Sequence, residues 1–189
     1  METNKKNNFE FSANFSLKFF LSLFLCLLVR LIPFRVPNIE PIFATTMPMS
    51  KAYGAFSAFS FAVLSVLLYD IVTGTLGVQT FFTTLAYGLI ALWSASYFKN
   101  KKGNTSDYVR FAIFGTLAFD AMTGLTVGPI FFHQSFLASL IGQIPFTILH
   151  LFGNVALAFI LSPAIYHLLI RKKEKQETST IKILNPKTI

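Results

Sequence analysis

Long apolar stretches separated by short polar ones make up most of this sequence of 189 residues. Charges, glycines and prolines divide the apolar positions into six stretches, most of them near or below the roughly 20 residues with which a helix crosses a hydrocarbon core. These stretches cover residues 16–33, 38–50, 53–72, 79–98, 109–127 and 136–169. Strand-like alternation is not visible, so the pattern predicts an all-α membrane protein with a bundle of about six transmembrane helices.

Two of the six predicted helices are irregular. The second is short and contains Glu40, Pro41 and Pro48, which are typical of a short or broken helix buried by other helices. We expect it to cross the membrane, and a re-entrant helix is the alternative. The sixth stretch is overlong, and Pro145 is expected to kink or interrupt it.

Composition and charge agree with a membrane environment. Hydrophobic residues make up 53% of the chain and charged residues 13%, whereas a soluble domain carries roughly a quarter charged residues. The net charge of +8 comes largely from short basic runs beside apolar stretches, which favours topology signals over a nucleic-acid partner. The single cysteine, Cys26, excludes an intrachain disulfide, and no spacing typical of metal ligands is present. We therefore expect no cofactor.

The positions of the basic residues predict an orientation. Six crossings place Lys5, Lys51, the loop 99–110 and the tail from Arg171 on one side, which the positive-inside rule makes the cytoplasm. Both termini are then cytoplasmic, and the protein lies in the inner (plasma) membrane. The predicted organisation is an N-terminal segment 1–15, a transmembrane domain 16–170 and a basic, polar tail 171–189 without periodicity, which favours disorder.

A short pattern occurs twice with an offset of 50 residues. The copies are Tyr69-Asp70-Ile71-Val72-Thr73-Gly74 and Phe119-Asp120-Ala121-Met122-Thr123-Gly124, and a pair of phenylalanines follows each. They predict a parallel internal repeat, Asp70/Thr73/Gly74 and Asp120/Thr123/Gly124, with both aspartates near the outer membrane interface. Each copy could simply end a helix, or the two could line an outward-facing polar pocket; both can hold at once.

Further polar residues are candidates for the same pocket. Arg30, Arg35, Asn38 and Glu40 belong to the outer face and could pair with the aspartates, although arginines also extend to lipid head groups. Near the other end of the chain, Gln143, His150 and Asn154 share a helix face, where interhelical hydrogen bonding is the simpler explanation. The candidate substrate-binding residues are Asn38, Glu40, Asp70, Thr73, Asp120, Thr123 and Asn154.

These residues resemble the substrate-binding S components of energy-coupling factor (ECF) transporters, six-helix membrane proteins that capture vitamins or other micronutrients. The resemblance rests on Arg30-Leu31-Ile32-Pro33, Pro37-Asn38-Ile39-Glu40-Pro41, Asp70 at a helix end, Ile144-Pro145-Phe146 and Gly153-Asn154. It implies that a small-molecule substrate binds near the outer face. It also implies docking on a transmembrane coupling protein with ATPase subunits, and no enzymatic activity in this chain.

This sequence departs from the ECF S components in its first helix, the helix through which that family docks. Family members generally dock through small residues on the first helix, whereas the first stretch here is bulky, and the nearest small-residue stripe is Gly54, Ala58 and Ala62. The alternative function is a membrane scaffold or assembly protein with no small-molecule ligand. An aspartyl intramembrane protease is not expected, because Asp120 lacks the preceding Gly-x-Gly.

Overall fold

The structure, a computed structural model, describes residues 2–34 and 39–184, with side chains described over 15–34 and 39–169. Within these ranges it contains six helices and no strand. They are α1 (Glu2–Arg30), α2 (Pro41–Tyr53), α3 (Ala55–Thr73), α4 (Val78–Phe98), α5 (Thr105–Phe131) and α6 (Phe136–Leu184). The predicted all-α class is confirmed.

Four of the helices are long and apolar enough to cross a membrane. They are α3, α4, α5 and the part of α6 from 136 to 169. Helix α2 differs, because its 13 residues extend only about 20 Å at 1.5 Å per residue, against roughly 30 Å of hydrocarbon core. The protein is thus an all-α membrane protein with four candidate spans among its described residues, and six crossings stay a prediction.

Helix α2 lies in the centre of the bundle. Its first ten residues, from Pro41 to Ser50, are all buried, and it contacts each of the other five helices. Ser162 Oγ on α6 donates to the Ala44 carbonyl at 2.9 Å, and Ser50 shares a 2.8 Å hydrogen bond with Ser94 on α4. Ten consecutive buried residues cover every side of a helix, so α2 forms the core around which the longer helices pack.

Several helix boundaries differ from the predicted ones. Helix α1 begins at Glu2, 14 residues before the predicted stretch, and α6 continues without interruption through Pro145 and Pro163. Of the two outcomes expected at Pro145, the interruption is wrong, because an unbroken helix keeps most backbone groups hydrogen-bonded, and the kink stays a prediction. The tail expected to be disordered is helical as far as Leu184, since its Lys, Glu and Gln residues are polar yet strong helix formers.

The bundle has two chemically different ends. At the lysine end, Lys51 Nζ donates to the Lys101 carbonyl, and Tyr53 Oη donates to the Leu169 carbonyl at 3.3 Å. At the opposite end, called the Asp70 end here, the turns 74–77 and 132–135 carry no Lys or Arg. The rings of Phe82 and Phe131 bring these two turns together. The predicted grouping of Lys51 with the loop 99–110 is therefore present.

Candidate functional site

Asp70 stabilises the turn between α3 and α4. Thr80 Oγ1 donates to Asp70 Oδ2 at 2.6 Å, and the Asp70 backbone carbonyl accepts from the Thr75 amide at 2.9 Å. Gly74 ends α3 in the left-handed conformation, with φ at +68°, as helix C-termini commonly do. The carboxylate is partly exposed and accepts hydrogen bonds from nearby hydroxyl groups. Asp70 therefore stabilises the C-terminal end of α3.

Asp120 lies in a different place from Asp70. Helix α5 continues to Phe131, so Asp120 is roughly 16 Å from its end at 1.5 Å per residue, and it is 2% exposed. The expectation that both aspartates lie near the outer interface is therefore wrong for Asp120. Its Oδ1 is 2.7 Å from His150 Nδ1 on α6. When the carboxylate is ionised it can only accept this hydrogen bond, and the imidazole Nδ1 is then the donor.

A second charged pair is buried between α1 and the start of α2. Arg30 is 6% exposed; its Nη1 donates to the Ser65 carbonyl at 2.6 Å and its Nη2 lies 3.5 Å from Glu40 Oε1. The guanidinium also stacks over the Tyr69 ring at 4.0 Å. The face of an aromatic ring attracts a cation electrostatically. Arg30 therefore pairs with Glu40, and the alternatives of Asp70, Asp120 or lipid head groups do not apply.

Three aromatic side chains lie between the Arg30–Glu40 pair and the Asp120–His150 pair. They are Tyr87, Phe119 and Phe43. Tyr87 Oη donates to Glu40 Oε2 at 3.3 Å, and its ring lies 4.3 Å from that of Phe119. Phe119 in turn is 5.5 Å from the His150 ring, and Phe43 contacts both. We call the polar groups on either side of this aromatic layer, all buried except the partly exposed Glu40, the polar centre. Its members are Arg30, Glu40, Tyr87, Thr116, Asp120, His150 and Asn154.

Asn154 completes the polar centre one helical turn after His150. Its Nδ2 donates to Thr116 Oγ1 on α5 at 2.9 Å, and both side chains are fully buried. The interhelical hydrogen bonding that the sequence suggested for this face of α6 is thus present. Three buried polar atoms of the centre have no hydrogen-bond partner among the described residues. They are Arg30 Nε, Asp120 Oδ2 and Asn154 Oδ1.

The structure brings together only part of the predicted site. Glu40, Asp120 and Asn154 lie in the polar centre, whereas Asp70 and Thr73 lie at the exposed α3–α4 turn. Thr123 donates to its own helix, at the Phe119 carbonyl. Asn38, and with it Arg35, lies outside the described residues.

Sequence reasoning missed two members of the centre and left two outside the substrate-binding set. Arg30 and His150 were noted because each is an ionisable residue within or beside an apolar stretch, but neither was listed as substrate-binding. Tyr87 and Thr116 had no signal, because a lone hydroxyl in an apolar helix is common. Their contribution depends on which helices pack together.

Comparison with protein-family models, curated proteins and solved structures gives no match to this chain. Among the residues that the structure describes, no group of three His, Cys, Asp or Glu side chains could hold a metal ion. The fold and the site therefore define a class: an all-α membrane protein with ionisable residues buried between its helices.

Proposed function

We propose that this protein is the substrate-binding membrane subunit of an uptake system for a small, micronutrient-like molecule, and that the substrate binds at the polar centre. One observation carries the proposal: Arg30, Asp120 and His150 are buried inside a bundle of membrane helices, and the partly exposed Glu40 pairs with Arg30. Ionisable residues are costly in lipid and commonly mark substrate or ion pathways. An outward-facing mouth built on Asp70 is less well supported, because Asp70 is engaged at a helix end.

The unpartnered atoms of the polar centre favour substrate binding over the scaffold alternative. A purely structural polar network is stable when every buried donor and acceptor is paired. Here Asp120 Oδ2 and Asn154 Oδ1, both acceptors, and Arg30 Nε, a donor, have no partner in the described part of the chain. A bound solute with complementary donors and an acceptor would satisfy them, which supports a binding site.

The proposal includes partners and an orientation. The resemblance to ECF S components supports docking on a transmembrane coupling protein with ATPase subunits, since this sequence contains no phosphate-binding Gly-x-x-x-x-Gly-Lys-Ser/Thr loop. The lysine end supports a cytoplasmic position for both termini in the plasma membrane. The small-residue stripe contributes little to docking, because Ala58 and Ala62 are fully buried within the bundle.

The test is whether purified protein retains a small molecule. Mass spectrometry of the solutes released from the wild-type chain is expected to find one, and Asp120→Asn and Glu40→Gln are expected to lose it. Asp70→Asn removes one carboxylate charge at the helix end and is the matched control, which should retain the solute. Growth on limiting micronutrients should follow the same order. If no solute is retained and all three variants grow like wild type, the uptake function is wrong.

A further inference from the structure

Asp120 lines a groove between α5 and α6. Its volume is about 260 Å³, slightly below the roughly 300–1,000 Å³ typical of ligand pockets. Three polar side chains, Asp120, Gln143 and Thr147, lie in an otherwise apolar wall. The other lining residues are Leu117, Ala121, Leu125, Leu140, Ile144 and Ile148. The groove therefore suits a small ligand with an apolar body and a polar group at one point.

The polar side chains of the groove offer mainly acceptors. Asp120 uses Oδ1 for His150, while Oδ2 is buried and has no partner among the described residues. Gln143 Nε2 donates to Thr147 Oγ1 at 3.4 Å, which leaves the Gln143 carbonyl oxygen as an acceptor. No Lys or Arg lines the groove. An acceptor set that includes a carboxylate matches a cationic donor, and an ammonium group supplies three N–H donors.

Gly124 explains how the Gln143 amide reaches this position. The residue lies within helix α5, where glycine is less favourable than alanine, and a Cβ there would overlap the Gln143 side-chain amide. The observed position of that amide against α5 therefore depends on glycine. Gly124 is a positioning residue that sets one acceptor of the groove about one helical turn beyond Asp120.

We propose that the substrate is a small protonated amine with an apolar body, and that its ammonium group donates to the Asp120 carboxylate in the α5–α6 groove. This proposal rests on the function proposed above and narrows it to one chemical class and to the Asp120 side of the polar centre. His150 engages only Oδ1 of the carboxylate, so Oδ2 has no partner among the described residues. The apolar wall receives the remainder of the amine, which disfavours sugars and anions.

Equilibrium dialysis of the full-length protein in detergent tests the ligand class. The probes are phenethylamine, its neutral isostere 2-phenylethanol and the anion phenylacetate. Wild-type protein should bind the amine at least tenfold more tightly than the alcohol or the anion, as a charge-assisted hydrogen bond of about 1.5 kcal/mol or more requires. Equal affinity for the amine and the alcohol would overturn the proposal.

Variants test the position of the site. Asp120→Asn should lower amine affinity at least tenfold and leave the alcohol unchanged, while Asp70→Asn should change neither by more than about twofold. Gln143→Leu keeps the Asp120–His150 contact and should lower amine affinity about threefold to tenfold, which covers the case in which Asp120→Asn fails to fold. Amine binding that survives in both folded variants would place the site elsewhere and contradict the proposal.

The identity of the retained solute separates this inference from the proposed function. A neutral or anionic solute retained by wild type and lost in Asp120→Asn would overturn the amine class and leave the uptake function standing. Binding of phenethylamine through Asp120 without any growth defect would support the groove and contradict the uptake function.

Discussion

The two copies of the six-residue pattern have different structures. In the first, Gly74 ends α3 in the left-handed conformation and Asp70 accepts hydrogen bonds from the adjacent turn. In the second, α5 continues through Gly124 and Asp120 is buried against His150. One local feature is shared, because Thr73 and Thr123 both donate to the carbonyl four residues earlier. The comparison teaches that local sequence sets the hydroxyl contact, whereas packing sets the position of the aspartate.

Neighbouring helices account for the difference between the copies. After Gly74 the chain reverses, and Gly77 precedes α4, which begins at Val78. After Gly124 there are seven further helical residues, and α6 packs closely against α5 at Gln143. The first aspartate is therefore at a helix end and the second is in the middle of the bundle, although the residues around them are similar.

The largest expected difference is between removal of the two carboxylates. Asp120→Ala should destabilise the protein by about 2 kcal/mol, because it leaves the buried Nδ1–H of His150 without a partner, whereas Asp70→Ala should cost about 1 kcal/mol or less. Reversible unfolding in detergent micelles, followed by circular dichroism, measures both. Asp120→Asn is the control, since its amide oxygen still accepts from His150, and it should cost less than Asp120→Ala. Equal costs for the two alanine variants would contradict the contrast.

The glycines should respond in opposite ways to alanine. Gly74→Ala should cost about 1 kcal/mol, because φ is +68° and a side chain disfavours that conformation. Gly124→Ala should stay within about 0.5 kcal/mol, since the gain in helix propensity offsets displacement of Gln143. The same unfolding experiment in a Gln143→Ala background removes the overlap with the Gln143 side chain, so that only the higher helix propensity of alanine remains. Gly124→Ala should then stabilise the protein. Destabilisation there would mean that backbone packing, and not Gln143, requires the glycine.

Substitution of the two threonines should change the free energy of unfolding least, and by nearly the same amount at both positions. Thr73→Val and Thr123→Val each remove a hydroxyl that donates within its own helix, and such contacts contribute little to helix stability. Each variant should therefore change the free energy of unfolding by less than about 0.5 kcal/mol. A clearly larger cost for Thr123→Val would show that its hydroxyl has a partner on another helix. The two threonines would then not share the same local hydrogen bond.

The fold was largely readable from the sequence, and the site only partly. Stretches 53–72, 79–98 and 136–169 correspond closely to the membrane-length parts of α3, α4 and α6, because a helix in lipid must be apolar over its length. Glu40 and Asp120 were found as rare ionisable residues in apolar surroundings. The pairing of Glu40 with Arg30 and of Asp120 with His150 was not predicted, since 10 and 30 residues of chain separate the two partners and no local rule relates such positions.

The sequence by itself determined the environment of this protein: apolar stretches of the length of a bilayer require helices, and the positions of its lysines separate two ends of the bundle. Only the tertiary structure decided which polar residues meet. It buried α2 at the centre, left Asp70 at a helix end and placed Asp120 between α5 and α6. The physical reason is that hydropathy acts on each stretch separately, whereas a buried charge is stable only beside a partner that packing brings to it.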